Sequence, residues 1–243
     1  MRVGLFVTCL VDLMRPSIGF AALKLLEAAN YDVVVPRTQT CCGQPGWNSG
    51  DRKSARALAR KLIGEFEDCR YLVVPSGSCA GMIRTHFPEV FRDEPFLRAE
   101  AGRLGERTYE LTEFLVKVAK RADVPGSFEG AVTYHDSCSG LRELGVKVQP
   151  RRLLAKVAGL KLVEMDECET CCGFGGTFSI KYGEISCAMA EKKCAHIQAS
   201  GAQAVVLGDL GCMLNIEGRL RRRGDAKTRV LHVAEVLAGM AEE

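Results

Sequence analysis

A chain of 243 residues with 47% hydrophobic residues, 26% charged residues and a formal net charge of +3 has the makeup of a folded globular protein. That excludes a wholly disordered chain, and so modest a charge implies no nucleic-acid partner. It holds no run of eighteen apolar residues, and Met1-Arg2 leads straight into Val3-Gly4-Leu5-Phe6-Val7 without the longer apolar region of a signal peptide. The expectation is a cytoplasmic protein with no transmembrane segment.

Residues 2–7 read as a buried strand ending at Thr8-Cys9. Residues 17–29 carry Ile18, Ala21, Ala22, Leu25 and Leu26 at helical spacing and read as a helix capped by Ser17. A strand over 31–35 is stopped by Pro36 and delivers the chain to Cys41-Cys42-Gly43-Gln44-Pro45-Gly46, a loop by its turn-forming residues. Asp51 is placed to cap a helix reaching about Phe66, and a third strand over 71–74 ends at Pro75-Ser76-Gly77-Ser78-Cys79. Residues 87–107 read as charged and helical, 111–122 as an amphipathic helix, and 123–127 as a linker.

Beyond the linker the order repeats: a strand over 130–134 into Cys138, a helix near 149–158, a strand over 160–165 into Cys171-Cys172-Gly173, a helix over 184–199, and a strand over 204–207 into Cys212. The ending His232-Val233-Ala234-Glu235-Val236-Leu237 is similar to Leu111-Thr112-Glu113-Phe114-Leu115. The second Cys-Cys-Gly stands 130 positions after the first, and the flanking cysteines are offset by 129 (138 minus 9) and 133 (212 minus 79). Self-similarity at a fixed period implies two homologous lobes, 1–123 and 128–243. The expected fold class is α/β, with two pseudo-symmetric lobes that are each a small, mainly parallel sheet with flanking helices. In such a sheet the C-terminal strand ends share one edge, so thiols distant in the chain can converge there.

Twelve cysteines in a reducing compartment are poor disulfide candidates, which leaves metal binding or redox chemistry to account for their number. Free cysteine is also among the most buried residue types, but burial requires neither loop placement nor matched spacing. The metal-ligand and cofactor candidates are therefore Cys9, Cys41, Cys42 and Cys79 in the first lobe and Cys138, Cys171, Cys172 and Cys212 in the second. Zinc accepts four thiolates but favours short C-x-x-C arms. Adjacent cysteines project in different directions and suit a body larger than one ion. An iron-sulfur cluster, [4Fe-4S], in each lobe is the expectation, with zinc in one or both sites as the alternative.

Four stretches, Pro75-Ser-Gly-Ser-Cys-Ala-Gly-Met82, Tyr134-His-Asp-Ser-Cys138, Cys171-Cys-Gly-Phe-Gly-Gly-Thr-Phe178 and Asp209-Leu-Gly-Cys-Met-Leu-Asn215, carry a resemblance that covers nearly the whole chain. It resembles the cysteine-rich CCG-domain iron-sulfur proteins, which include the cysteine-rich component of heterodisulfide reductase and the iron-sulfur components of glycolate oxidase and glycerol-3-phosphate dehydrogenase. The resemblance is greatest to the lactate-utilisation protein A family. It implies an iron-sulfur redox subunit, inactive alone, whose partners are the other subunits of a complex oxidising L-lactate or a related 2-hydroxy acid. A zinc-stabilised scaffold without electron transfer and a heterodisulfide-reductase-like thiol/disulfide subunit stand as alternatives. In the wider superfamily the third segment is often C-x-x-C, whereas here Ser76 and Asp209 hold the earlier position. Either residue supplies oxygen to the centre or serves as a turn or helix cap.

The remaining cysteines read differently. Cys168, at C-x-x-C spacing before Cys171, is a spare ligand or a surface thiol in an acidic stretch, and Cys69, Cys187 and Cys194 read as core packing. His135-Asp136 either tunes the second centre by proton relay or hydrogen bonding, or contains an ordinary hydrogen-bonded structural histidine. His86, His196 and His232 show no partner pattern. Gly173-Phe-Gly-Gly-Thr-Phe178 lacks the third glycine of a dinucleotide loop, so close backbone approach to a cluster explains its glycines better. With no nicotinamide or flavin site legible, hydride removal falls to partner proteins or to unusual cluster chemistry. The basic run Arg219 to Arg223 reads as a solvated helix end, with docking to an acidic partner as the weaker reading.

Overall fold

The computed structural model describes residues 1–121 and 123–241. The first half contains β1 (Arg2–Leu5), α1 (Cys9–Met14), α2 (Ser17–Ala28), β2 (Asp32–Val34), α3 (Gln44–Ser49), α4 (Arg52–Glu65), β3 (Tyr71–Val74) and α5 (Gly77–Gly81). A π-helical turn (Met82–His86), α6 (Phe87–Val90), α7 (Pro95–Glu106), β4 (Thr108–Glu110) and α8 (Leu111–Lys117) follow. The second half contains β5 (Ser127–His135), α9 (Cys138–Leu144), α10 (Val148–Leu154), β6 (Ala158–Leu162), α11 (Phe178–Lys181), α12 (Gly183–Ala199), β7 (Ala204–Leu207), α13 (Leu210–Arg222), β8 (Arg229–His232) and α14 (Val233–Ala238).

The two halves build the same sheet. Each is four-stranded and all-parallel, in the orders β2-β1-β3-β4 and β6-β5-β7-β8. A parallel sheet is covered on both faces, and the inner strands β3 and β7 are accordingly apolar: Val73 and Val74 in β3 and all four residues of β7 are buried. One continuous apolar cluster joins Val3, Leu5 and Val73 of the first sheet to Val132, Val205 and Val206 of the second. A separate cluster around Phe6, Phe66, Phe87 and Phe91 fills the first lobe under α4, α6 and α7.

The seam between the lobes uses each contact twice. Helix α2 packs on α14 while α10 packs on α8, and α5 packs on α9 while α13 packs on α1. These are the exchanged partners of a pseudo-twofold pair. Short approaches hold the seam: a Cβ on Gly77 would lie 2.9 Å from the Gly140 Cα, so α5 and α9 meet backbone to backbone.

The strands over 71–74 and 204–207 stand where the sequence puts them, and Asp51 caps α4 by accepting from the Ser54 N–H. Ser17 does not cap α2: Pro16 holds that position, and the Ser17 hydroxyl instead donates to Glu235 of the other lobe at 2.7 Å. The helical stretch 87–107 breaks into α6 and α7, and the strand expected over 160–165 begins two residues earlier and ends at Leu162. The helix expected over 111–122 ends at Lys117, while Ala122 lies outside the described residues. Among the described residues no helix is long and apolar enough to cross a membrane.

Candidate metal centres

Each candidate cysteine follows the C-terminal end of a parallel strand, the edge at which such sheets bind ligands. The flanking cysteines, however, do not sit in loops. Cys9 and Cys138 are the first residues of α1 and α9, while Cys79 and Cys212 are the third residues of α5 and α13. Thr8, just before Cys9, is held at φ 76°, a strained setting for a β-branched residue and one that concentrates at functional sites.

Gly43 and Gly173 follow the paired cysteines and take φ values of 84° and 87°. A side chain there would be strained, and at Gly173 its Cβ would lie 2.7 Å from the Ser186 carbonyl oxygen. The turn aims each glycine N–H back at sulfur: Gly43 donates to Cys41 Sγ at 3.3 Å and Gly173 to Cys171 Sγ at 3.4 Å. Gln44 Nε2 donates to the Ser78 carbonyl at 3.3 Å, and Asn215 Nδ2 to the Cys172 carbonyl at 2.8 Å. These bonds tie each motif loop to the helix that carries the last cysteine of its own quartet.

Both quartets converge. In the first, the thiols run as a hydrogen-bonded chain Cys9, Cys41, Cys42, Cys79, with Cys42 and Cys79 Sγ 3.4 Å apart. In the second the chain runs Cys138, Cys171, Cys172, Cys212. Hydrogen bonds from Cys42 and then Cys9 hold Cys41 down to about 3, and those from Cys138 and then Cys172 hold Cys171 down to about 2. The partners Cys9, Cys42, Cys138 and Cys172 are pushed up as they donate to those thiolates. Each quartet thus starts from one preformed thiolate, the form that binds metal.

The histidine beside the second quartet, His135, is fully buried, and neither ring nitrogen has a hydrogen-bond partner. Its ligand nitrogen and the Cys172 and Cys212 sulfurs all lie within 4.8 Å of one another. Burial, then the nearby Lys193, pushes His135 down to about 3, so the ring is neutral. The relay through Asp136 falls away, while the Cys168 carbonyl stands beside the ring as its backbone neighbour. Asp136 is held instead by Arg151 in a two-pronged pair, both contacts at 2.8 Å. Lys193, which the sequence does not single out, is buried and donates to the Cys168 and Glu167 carbonyls behind this centre.

Ser76 and Asp209 are helix caps: Ser76 Oγ accepts from the Cys79 N–H, and Asp209 Oδ1 from the Gly211 N–H. They also meet across the seam, where Asp209 Oδ2 accepts from Ser76 Oγ at 3.2 Å and from the Ser78 N–H at 2.9 Å. Cys168 is outside the second chain of thiols, 3.9 Å from the Arg151 guanidinium. Cys69 and Cys194 are buried, as core packing requires, but Cys187 is exposed. Seven residues put both on one side of α12, but the buried stripe runs through Ser186, Ala190, Lys193, Cys194 and Ile197 and leaves Cys187 at its open edge, near the start of the helix. Arg219 and Arg223 of the basic run both pair with Glu191 on α12. His86 faces Glu143 across the seam at 3.4 Å, and His232 accepts from the Ala234 N–H to cap α14.

A cavity of about 430 Å³ opens onto the first quartet. Cys9, Cys41, Cys42 and Cys79 form one wall, and Phe174, Ile180 and Leu210 of the second lobe form the other. Among the described residues no lysine or arginine lines it.

The "Cysteine-rich domain" family, CCG, matches the chain twice, over residues 3–84 and 132–217. "Lactate utilization protein A" of Geobacillus kaustophilus (strain HTA426) is 49% identical over 237 residues, 98% of each chain. "Lactate utilization protein A 2" of Bacillus cereus (strain 03BB102) is 42% identical over 238 residues, again 98% of each. The chain belongs to the lactate utilization protein A family. Each quartet falls within one of the two CCG matches, so the duplicated motif and the duplicated domain coincide. Among solved structures, the "Crystal structure of a hypothetical protein from Helicobacter pylori" matches all of this family member with a TM-score of 0.68 at 14% identity. The chain spans about half of that protein, 49%, and the likeness is one of fold.

Proposed function

We propose that this chain is an iron-sulfur redox subunit of a cytoplasmic multi-protein system that oxidises L-lactate, or a related 2-hydroxy acid, to the 2-oxo acid. The observation that carries the reading is the convergence of two four-sulfur sets at the strand ends, each with a glycine N–H aimed at a sulfur of the paired cysteines. Cys9, Cys41, Cys42 and Cys79 would hold one cluster, [4Fe-4S], and Cys138, Cys171, Cys172 and Cys212 another. A bound cluster supplies reversible one-electron transfer. Oxidation of a 2-hydroxy acid releases two electrons and two protons, so a two-electron step on a partner subunit has to feed this chain singly. The relatives' name, lactate utilization protein A, supports the substrate class.

The chain's own groups fit that task. The Gly43 and Gly173 amides, donating to sulfur, stabilise negative charge on the ligands, and Lys193 does the same behind the second centre.

The test is anaerobic purification of the full chain, with iron, acid-labile sulfide and zinc assayed together. Brown protein containing iron and sulfide that bleaches in air is the expected result. A colourless protein holding zinc and no sulfide would refute the reading.

A further inference from the structure

Cluster ligands are normally read off a sequence as cysteines, and the two lobes look equivalent on that criterion. One difference lies three residues before the first cysteine of each set. In the first lobe this is Phe6, packed edge-on against Phe66 in the core with centroids 6.2 Å apart. In the second it is His135.

A buried imidazole normally finds partners for both nitrogens, because an unpaired polar atom away from water costs roughly 1–3 kcal/mol. His135 has no close partner for either, although Thr133 and Asp136 flank it and Lys193 acts on its charge; the Cys168 carbonyl stands near enough to take the proton of one nitrogen, which leaves the other facing no polar group but sulfur. Asp136 is taken by Arg151, and Lys193 by two carbonyls. What the ring does face is sulfur: its ligand nitrogen shares a 4.8 Å envelope with Cys172 and Cys212. Two atoms bonded to one metal, at nitrogen and sulfur distances of about 2.0–2.3 Å, lie within such an envelope. The position left without sulfur, Asp209, cannot serve in its place, since both its oxygens are committed to Gly211, Ser76 and Ser78.

We propose that His135 is a direct imidazole ligand of the second centre, which is held by Cys138, Cys171, Cys172, Cys212 and this one nitrogen, whereas the first centre is held by thiolates alone. The inference rests on reading both quartets as iron-sulfur sites. The ring gives its lone pair from one nitrogen and keeps the proton on the other, so no charge is added. The two centres then carry the same number of thiolates and differ by one neutral nitrogen donor, so they are chemically distinct although their cysteine sets match.

The test is pulsed EPR on the full chain carrying Cys42→Ser, which silences the first centre, reduced and grown with and without ¹⁵N-histidine. The expected spectrum shows a nitrogen coupling of the size given by a bonded imidazole, which changes with the label. His135→Phe, the first lobe's own residue, should remove that coupling and lower the iron bound by this lobe. His135→Cys should keep the iron and lower the midpoint potential. A cluster signal with only weak backbone-amide couplings, insensitive to the label, overturns the proposal while leaving the cluster reading intact. Absence of iron and sulfide in the unsubstituted chain overturns both.

Discussion

Asp209→Ala should loosen the metal-free protein by about 3 kcal/mol, because one carboxylate holds two helix starts that belong to different lobes. Its Oδ1 accepts from the Gly211 N–H at the start of α13, an N-cap worth about 1 kcal/mol. Its Oδ2 accepts from the Ser78 N–H and Ser76 hydroxyl of the first lobe, and a hydrogen bond to a charged group contributes about 1.5–3 kcal/mol. The three bonds share one carboxylate, so their losses overlap rather than add. At this chain length about 3 kcal/mol corresponds to a fall in Tm of roughly 6–12 °C. Urea titration of the apo protein, followed by circular dichroism, reads the loss directly. Ser76→Ala in the same background should cost less than it does alone, since its partner has gone. A loss below about 1 kcal/mol for Asp209→Ala, or full additivity of the pair, would show that the cross-lobe bonds do not hold the seam.

Cys42→Ser and Cys172→Ser should each strip most of the iron from their own lobe, since hard oxygen replaces soft sulfur poorly. Cys187→Ala, at an exposed thiol, should leave the iron unchanged, and metal analysis of the three proteins separates ligand from bystander. Gly77→Ala drives a Cβ to 2.9 Å from the Gly140 Cα across the seam and should cost on the order of 1–3 kcal/mol in urea unfolding, whereas Gly64→Ala, in open space, should not. Burial raises the Glu110 carboxyl from 4.5 to about 7, so the folded chain keeps a proton that the unfolded chain loses. The stabilising contribution is complete below pH 4.5 and is lost as pH rises towards 7. Glu110→Gln should flatten that part of the stability profile, and an unchanged slope would place the titration elsewhere.

Much of this site is written in the chain at the level of strands. A four-residue apolar run such as Tyr71–Val74, bounded by turn formers, has few alternatives once a second copy repeats it, and the loops carrying Cys41-Cys42 and Cys171-Cys172 follow. The helices that carry the other cysteines were not legible, because α1, α5 and α9 have six, five and seven residues and too few turns to show a period. Ser17 misleads for a related reason: its hydroxyl serves a tertiary partner, Glu235, which lies 218 positions away. The roles of Ser76 and Asp209 as caps were readable from residue type, but their meeting was not, since it depends on how the lobes dock. His135 gave a signal only through its place beside Cys138. That its ring nitrogens lack close partners and lie beside sulfur is a property of packing alone.

The doubled contacts of the seam, α2 on α14 with α10 on α8, are those of a symmetric dimer whose two subunits have become one polypeptide. A true homodimer carries each substitution twice, so a residue suited to one active surface is imposed on the other. Fusion lifts that constraint. Phe6 can pack as a core aromatic while His135, its counterpart, faces sulfur, and Ser76 can donate to Asp209 where two identical residues would have to share one role. Joining the copies is what lets a duplicated architecture give its two sulfur sets different neighbours.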